Sequence, residues 1–377
     1  MADDLILDDP DALARADPGG TLRATATAGS QIRLALASLD TGLLERIATE
    51  GRPRSLVIAG MGGSGISADV CAAIAGTGSP IPIVAIRGYV LPGWVGPMDL
   101  VIGVSCSGAT EETLAIVDEA GRRGCRLVGV AAAGSPLERL VASYGDSVFI
   151  AVDAQGRMPR VSLWTLATPI LRIADVLNVA DVPVDGLHAA ADLLDEFAIA
   201  YGPAVPLIDN PAKTLGLELA ADLPMVWGSG ELGPVAAYRM ACQLAENAKL
   251  PSVHGEIPEA NHNQVVAFDG PVAGSEPLED IFRDRVEEPD AQRRLRLVLL
   301  RDSVEHPQVA LRADVSEALA ESRGIPVSKV SASGESALLR LVSLLAVVDF
   351  ASVYAALALG VDPSPIEPIN ELKARIA

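Results

Sequence analysis

The chain has 377 residues, half of them hydrophobic, and a mean hydropathy of +0.33. That length exceeds one ordinary core, so two compact domains are expected, and the composition excludes extensive disorder. The formal net charge of −20 repels nucleic acid phosphates and anionic lipid head groups, so neither a nucleic acid nor a membrane surface is an expected partner. An anionic ligand would need local positive potential from backbone N–H groups, helix ends and a few cations.

Strands alternate with helices through the first half of the chain. An apolar run at residues 55–60 predicts a buried strand, and residues 66–75 predict the helix that follows it. Further strands are predicted at 81–86, 100–104, 127–131 and 147–152, with a helix at 111–121. This alternation predicts βαβ units and a parallel sheet.

The same pattern begins again after a helical connection at 161–177 and a stretch rich in Pro and Asp near 181–186. Strands are predicted at 224–230, 265–268, 295–300 and 327–332, and helices at 308–322 and 335–359. We therefore expect an N-terminal domain at 1–180, a connecting segment at 181–210 and a C-terminal domain at 211–377 that is a divergent copy of the first. Residues 269–294, rich in Gly, Pro and acid, are expected to form a surface insertion.

Four features of the sequence bear on the cellular compartment and on metal binding. The cysteines show neither CxxC nor metal-ligand spacing, no two histidines show zinc spacing, and the acidic N-terminus, a capped start or a loose arm, lacks the order of a signal peptide. The apolar stretch 341–359 approaches membrane-spanning length, but Asp349 lies in its middle, which favours a buried core or dimer helix. We expect a cytoplasmic protein with reduced cysteines and no metal site. The cysteines are Cys71, Cys106, Cys125 and Cys242.

The segment GMGGSG, Gly60 to Gly65 (the first loop), follows a strand and opens a helix, where an anion can bind free N–H groups. Gly63 and Ser64 are its candidate phosphate-binding residues. The segment also fits the GxGxxG pattern of dinucleotide-binding enzymes. A dinucleotide site requires an acidic residue at the end of the next strand, and here that strand leads to Arg87. A nicotinamide-dependent dehydrogenase is therefore the weaker interpretation, and no cofactor is expected.

A second turn, Ser105 to Thr110 within VSCSGATEET (the second loop), also joins a predicted strand to a helix. Ser105, Ser107 and Thr110 offer hydroxyls, and Gly108 allows close backbone approach. Two such loops on neighbouring strands predict one hydroxyl-lined phosphate cradle. The absence of a P-loop lysine favours a sugar phosphate over a nucleoside triphosphate.

With these motifs the sequence resembles the bifunctional phosphoglucose/phosphomannose isomerase family of sugar-isomerase (SIS) domain proteins. The resemblance covers almost the whole chain and rests on GMGGSG, on SCSGATEET, where the family more often has an aromatic residue and Asn in place of Cys106 and Ala109, and on PR, ENAKLP, PEANHN and a near-terminal ELK. It implies an α/β chain of two SIS-type, doubly wound, parallel-sheet (flavodoxin-like) domains. It also implies an aldose–ketose isomerase that needs no metal.

The resemblance assigns the catalytic roles. It makes Glu246 the base that shuttles the carbon-bound proton, and His262, entering from the neighbouring subunit of a homodimer, a ring-opening group. Lys373 is also implied to open the ring, and Arg160 to face O1 and O2 of the sugar, with Arg157 as the alternative. Ser364 is a further candidate for lining the site.

Two questions stay open at this stage. SIS domains also occur in sensors that bind a sugar phosphate without catalysis, although this chain has a candidate for every catalytic role and no basic helix-turn-helix segment. The choice between glucose and mannose phosphates depends on side-chain positions near Glu246 that sequence does not give.

Overall fold

The computed structural model describes residues 4–273 and 293–376. The contacts divide the chain into two compact units. The N-terminal unit comprises Ala24–Glu196 and Ser336–Leu339, and the C-terminal unit comprises Met1–Arg23, Phe197–Glu335 and Arg340–Ala377. Most of the predicted surface insertion, 269–294, lies outside the described residues.

The regular elements follow the predicted alternation. The strands are β1 Leu56–Ala59, β2 Ile83–Ile86, β3 Leu100–Ser105, β4 Arg126–Ala131, β5 Val148–Ala151, β6 Leu223–Ser229, β7 Val253–Glu256, β8 Leu295–Arg301 and β9 Val327–Ser331. The helices are α1 Pro10–Ala16, α2 Thr21–Thr25, α3 Ala28–Ser38, α4 Thr41–Thr49, α5 Gly63–Ala75, α6 Glu111–Arg122, α7 Pro136–Ala142, α8 Leu163–Val176, α9 Val184–Ala200, α10 Pro211–Ala221, α11 Gly233–Gln243, α12 Pro307–Glu321, α13 Ala337–Ala358 and α14 Glu367–Ile376.

The N-terminal unit is built on a five-stranded parallel sheet with the order β2-β1-β3-β4-β5. This is the flavodoxin-like order, as predicted. The central strands β1 and β3 are buried along their whole length, which is why they are continuous apolar runs in the sequence.

A buried acid joins the starts of two strands in this sheet. Asp99, which is fully buried, accepts hydrogen bonds from Arg54 (Nη2 at 2.5 Å), from Ser55 Oγ at 2.7 Å and from the Gly96 amide at 2.9 Å. Burial by itself raises the pKa of Asp99, but these three donors outweigh it, and the pKa lies below its usual value. The ionised carboxylate therefore stabilises the folded unit.

The C-terminal unit has a four-stranded parallel sheet with the order β7-β6-β8-β9. The order repeats that of the first four strands of the N-terminal sheet, so the prediction of a divergent copy is confirmed for the sheet topology. Trp227 on β6 stacks on Phe268 with ring centroids 5.4 Å apart, which ties the sheet to the segment after β7.

Helix α13 is the one described helix that could cross a membrane by length and composition, with a mean hydropathy of 2.1. Every residue of its most apolar stretch is buried, as the core-helix interpretation requires. Asp349 in its middle accepts from Arg239 of α11 through Nε at 2.6 Å and Nη2 at 2.8 Å. A buried acid on an apolar helix is tolerated because this paired arginine neutralises it.

The structure corrects three local predictions. Residues 265–268 are not a strand: they lie in the 3-10 helix Gln264–Asp269. The Gln264 side chain holds that segment, accepting from Trp227 Nε1 at 2.7 Å and donating to the His254 carbonyl at 3.0 Å. The strand beside β6 is instead β7, whose sequence VHGE has no apolar run because it is an exposed edge strand.

The other two corrections concern the domain bounds. Residues 4–23 belong to the C-terminal unit rather than to 1–180, and they are not a loose arm: Leu7 and Leu13 are fully buried, and Asp8 accepts from the Leu207 amide at 2.6 Å. The predicted connecting segment 181–210 is largely α9, a 17-residue helix. Asp181 and Pro183, which precede that helix, led to the linker interpretation.

Candidate active site

The first and second loops lie at one edge of the N-terminal sheet. They follow β1 and β3, which pair directly and in parallel, with Ala59 opposite Gly103. The chain leaves β1 toward β2 on one side and leaves β3 toward β4 on the other. This is the topological switch point, where ligands bind in open α/β sheets, and the predicted proximity of the two loops is confirmed.

Both helices that begin at this point start without a side-chain cap. Neither Gly62, before α5, nor Thr110, before α6, supplies a capping hydrogen bond. In contrast, Ser135 caps the next helix, α7, by accepting from the Glu138 amide. Uncapped N–H groups at two adjacent helix starts leave positive potential directed at the same edge, which suits an anion.

Hydrogen bonds within the second loop explain the uncapped start of α6. Ser105 is buried, and its Oγ accepts from the Gly108 amide at 2.9 Å and lies 2.9 Å from Thr110 Oγ1. The hydroxyl pair shapes the loop from inside. Ser107 is exposed, with only a 3.3 Å hydrogen bond from the Ala109 amide, so its hydroxyl is the one of the three most accessible to a ligand.

The first loop contacts the segment that carries the predicted arginine. A Cβ added to Gly63 would lie 2.9 Å from the Pro159 carbonyl oxygen and 3.9 Å from Arg160 Cα, so glycine is needed for this close approach. Ser64 is buried in the first turn of α5, and Arg160, in the 3-10 helix Pro159–Val161, is 3% exposed. The structure thus brings the backbone of Arg160 to the first loop.

Arg87 is a second arginine beside the first loop. Its Nη2 donates to the Gly65 carbonyl at 3.0 Å and to the Asp69 carboxylate. Burial raises the pKa of Asp69, and Arg87 opposes that rise. The arginine that follows β2 is therefore already paired with an acid of this chain.

In the C-terminal unit, Glu246 lies in a single π-helical turn, Leu244–Ala248, that extends α11. Such turns recur at functional sites. Asn247 is fully buried and donates to Ser352 Oγ at 2.9 Å, and Lys249 ends the turn in the left-handed conformation, donating from Nζ to the Glu246 carbonyl at 2.8 Å. The turn that carries the half-buried Glu246 is therefore held by the two residues Asn247 and Lys249 that follow it.

Lys249 also joins this turn to the C-terminal segment. Its Nζ donates to the carbonyls of Asp362 at 3.2 Å and Pro363 at 3.3 Å, next to Ser364. Ser364 Oγ in turn lies 3.3 Å from Thr21 Oγ1. Sequence reasoning treated ENAK only as the setting of Glu246 and missed this bracing role of Asn247 and Lys249.

The remaining two predicted residues are exposed. His262 ends the 3-10 helix Glu259–His262 and is followed by another 3-10 helix, not by the predicted strand. Asn261 beside it donates to Ser316 Oγ at 2.7 Å and fixes this turn against α12. Lys373 lies on α14, so the predicted C-terminal helix is confirmed, and its side chain is solvent-exposed.

The corresponding edge of the C-terminal sheet is filled by the chain itself. Between β6 and β8, the Glu305 carboxylate accepts from Ser229 Oγ and from Arg301 Nη2, the latter at 2.6 Å. A carboxylate held by a serine and an arginine thus lies at this switch point. Within residues 4–273 and 293–376, no group of three or more His, Cys, Asp or Glu side chains is placed to hold a metal ion.

Comparison with known proteins decides the family. The chain is 30% identical to the bifunctional phosphoglucose/phosphomannose isomerase of Caldicellulosiruptor bescii over 85% of its own length and 89% of that protein. It belongs to the bifunctional phosphoglucose/phosphomannose isomerase family. The Aquifex aeolicus member is 27% identical over 88% of this chain and 93% of its own. The model of the bacterial phospho-glucose isomerase C-terminal SIS domain matches residues 208–376.

The fold is shared more widely than the sequence. A hypothetical protein of Thermus thermophilus has a solved structure that superposes with a TM-score of 0.66 at 16% identity, over 100% of this chain and 98% of that one. The chain is therefore an SIS-domain isomerase of the phosphoglucose/phosphomannose family with two doubly wound units.

Proposed function

We propose that this isomerase interconverts glucose 6-phosphate and mannose 6-phosphate with fructose 6-phosphate, without a metal ion and through a cis-enediolate. The observation that carries the proposal is the pair of uncapped helix starts at the switch point of the N-terminal sheet. They offer an anion site to a chain whose net charge is −20. Membership in the family supports the reaction class.

The chemistry explains how one site can serve two aldoses. Glucose and mannose 6-phosphates differ only at C2, the carbon that loses its proton, so both give the same enediolate. A base removes the C2 proton, the C1 carbonyl oxygen takes the negative charge, and the proton is returned to C1. The proton of the O2 hydroxyl passes to O1, which leaves a C2 ketone, and no electrons enter or leave.

The residues take the roles that the resemblance implies. Glu246 is the proton-shuttling base, and Arg160 stabilises the enediolate oxygens. His262 and Lys373 open the sugar ring. His262 acts in the site of the neighbouring subunit, so the active species is a homodimer. We place this homodimer in the cytoplasm.

A direct test compares the wild type with Glu246→Gln, using both aldose phosphates in EDTA and without nicotinamide. We expect the variant to lose about 10³-fold or more in turnover while it still binds a phosphate ligand in calorimetry. Glu45→Gln, an exposed acid on α4, is the matched control and should keep full activity. Turnover by Glu246→Gln within tenfold of wild type removes Glu246 from its role. Binding without turnover by the wild type would favour the sensor alternative.

The dimer is tested by subunit complementation. We expect Glu246→Gln and His262→Ala each to be inactive. Mixing their unfolded chains and then refolding them together forms mixed dimers. If His262 acts across the interface, one site of each mixed dimer is complete and about a quarter of wild-type activity returns. No recovery would place His262 in its own subunit's site.

A further inference from the structure

A single segment after β5 crosses the ligand-binding edge of the N-terminal sheet. It leaves the sheet where the Val152 amide donates to the Ala131 carbonyl at 2.9 Å, beside the end of β4. It ends at Pro159, whose carbonyl oxygen lies against Gly63 of the first loop. Because β3 lies between β1 and β4 in the sheet, the segment passes the second loop, which follows β3, and Arg157 lies in this part of the segment. The segment thus places Arg157 beside the second loop and Arg160 beside the first.

The Arg157 guanidinium makes few hydrogen bonds although it is partly buried. Its Nε is buried without a hydrogen-bond partner, Nη2 has only a 3.4 Å hydrogen bond to Thr165 Oγ1, and Nη1 donates to Gln155 Oε1 at 2.9 Å. No carboxylate of the described residues lies within ion-pair distance of it. Burial lowers the pKa of Arg157, and the negative charge of Asp153 opposes that only in part.

The charges around the two loops show what Arg157 could neutralise. Arg87 already pairs with Asp69. Glu111 and Glu112 stand in the first turn of α6 and add negative charge beside the second loop. A doubly charged ligand at the helix starts therefore needs a nearby cation, and a partly desolvated guanidinium without an acid partner gains most from meeting an anion.

We propose that Arg157 is a binding residue for the phosphate group, reaching it from the second-loop side next to Cys106 and Ser107. The inference rests on the proposed function in taking the cradle to bind a sugar phosphate. It differs from the expectation that Arg157 could replace Arg160 at O1 and O2, because it assigns Arg157 to the phosphate group.

Calorimetric titration with inorganic phosphate tests the assignment. Arg157→Gln is expected to weaken phosphate binding about tenfold or more, and Arg157→Lys to weaken it less, because lysine keeps the charge but not the planar fork. Arg52→Gln makes the same change in net charge at an exposed site before β1, at the opposite edge of the sheet, and should bind phosphate like the wild type. Circular dichroism melting confirms that each variant folds.

The location is tested by maleimide labelling followed by peptide mass mapping. Inorganic phosphate should slow modification of the half-buried Cys106 in the wild type, and much less so in Arg157→Gln at the same concentration. Cys242, also half-buried, is the internal reference and should react at an unchanged rate. Equal protection of Cys106 in both proteins would overturn the proposal.

The outcomes separate this inference from the proposed function. If Arg157→Gln lowers kcat while phosphate binding and KM stay unchanged, Arg157 acts at the carbonyl end and the inference is wrong, although the isomerase stands. If the wild type isomerises neither aldose phosphate but loses phosphate binding in Arg157→Gln, the function is wrong and the inference stands.

Discussion

Replacing Gly63 with alanine tests how the first loop positions Arg160. The new methyl carbon would lie 2.9 Å from the Pro159 carbonyl oxygen, about 0.5 Å inside the ordinary contact distance of 3.4 Å. Backbone cannot rotate away as a flexible side chain can, so the 3-10 helix Pro159–Val161 must move by roughly that amount. Displacements approaching 1 Å at a positioning group can cost about 10²-fold in rate, so a loss of about 10- to 100-fold in kcat/KM is expected.

Stability should fall by no more than about 2.5 kcal/mol in the same variant. Overpacking costs about 1–3 kcal/mol, but alanine is favoured over glycine within a helix by about 0.5–1 kcal/mol, and Gly63 begins α5 with a negative φ. The assay measures kcat/KM for both aldose phosphates beside a thermal melt. Gly78→Ala, where an added methyl meets open space, is the control. A folded Gly63→Ala protein with wild-type kcat/KM would refute the positioning argument.

Three further changes test the surrounding contacts. Ser105→Ala should lower the free energy of unfolding by about 1–2 kcal/mol in urea titration, whereas Ser107→Ala should leave it within about 0.5 kcal/mol and weaken phosphate binding; the reverse order would reject the roles given to these hydroxyls. Asp99→Asn should cost about 2 kcal/mol at pH 7. Because the pKa of Asp99 is lowered on folding, its contribution is present above the ordinary value of 3.8 and is lost as the pH falls through the lower folded value, so the wild-type advantage should shrink in acid. Asp349→Asn should cost about 3 kcal/mol by removing the buried carboxylate that accepts from Arg239 Nε and Nη2, and a cost below about 1 kcal/mol would contradict this.

The sheet strands were predictable wherever they are central. β1, β3 and β8 are buried on both faces and therefore read as continuous apolar runs. The edge strand β7 carries no such signal, because its residues VHGE are largely exposed. Its place in the sheet is set by tertiary contacts, including the Gln264 side chain, which a local pattern does not encode.

The site was predictable to the level of the loops but not of individual hydroxyls. The strand-to-helix placement of GMGGSG and SCSGATEET was enough to predict a switch-point cradle. Which serine points inward depends on the turn: Ser105 is used by Gly108 and Thr110, and Ser107 is left exposed. The π-turn at Glu246 and the bracing by Lys249 need contacts across more than 100 residues, so no local motif could have shown them.

The most direct measurement is proton NMR of mannose 6-phosphate incubated with the protein in D₂O and EDTA. The proposed enediolate predicts that fructose 6-phosphate forms first and glucose 6-phosphate second. Solvent deuterium should enter at C1 of the ketose and at C2 of the aldose, because the proton held by Glu246 exchanges with solvent before it is returned. Unchanged mannose 6-phosphate, or glucose 6-phosphate formed with its hydrogen fully retained at C2, would contradict it.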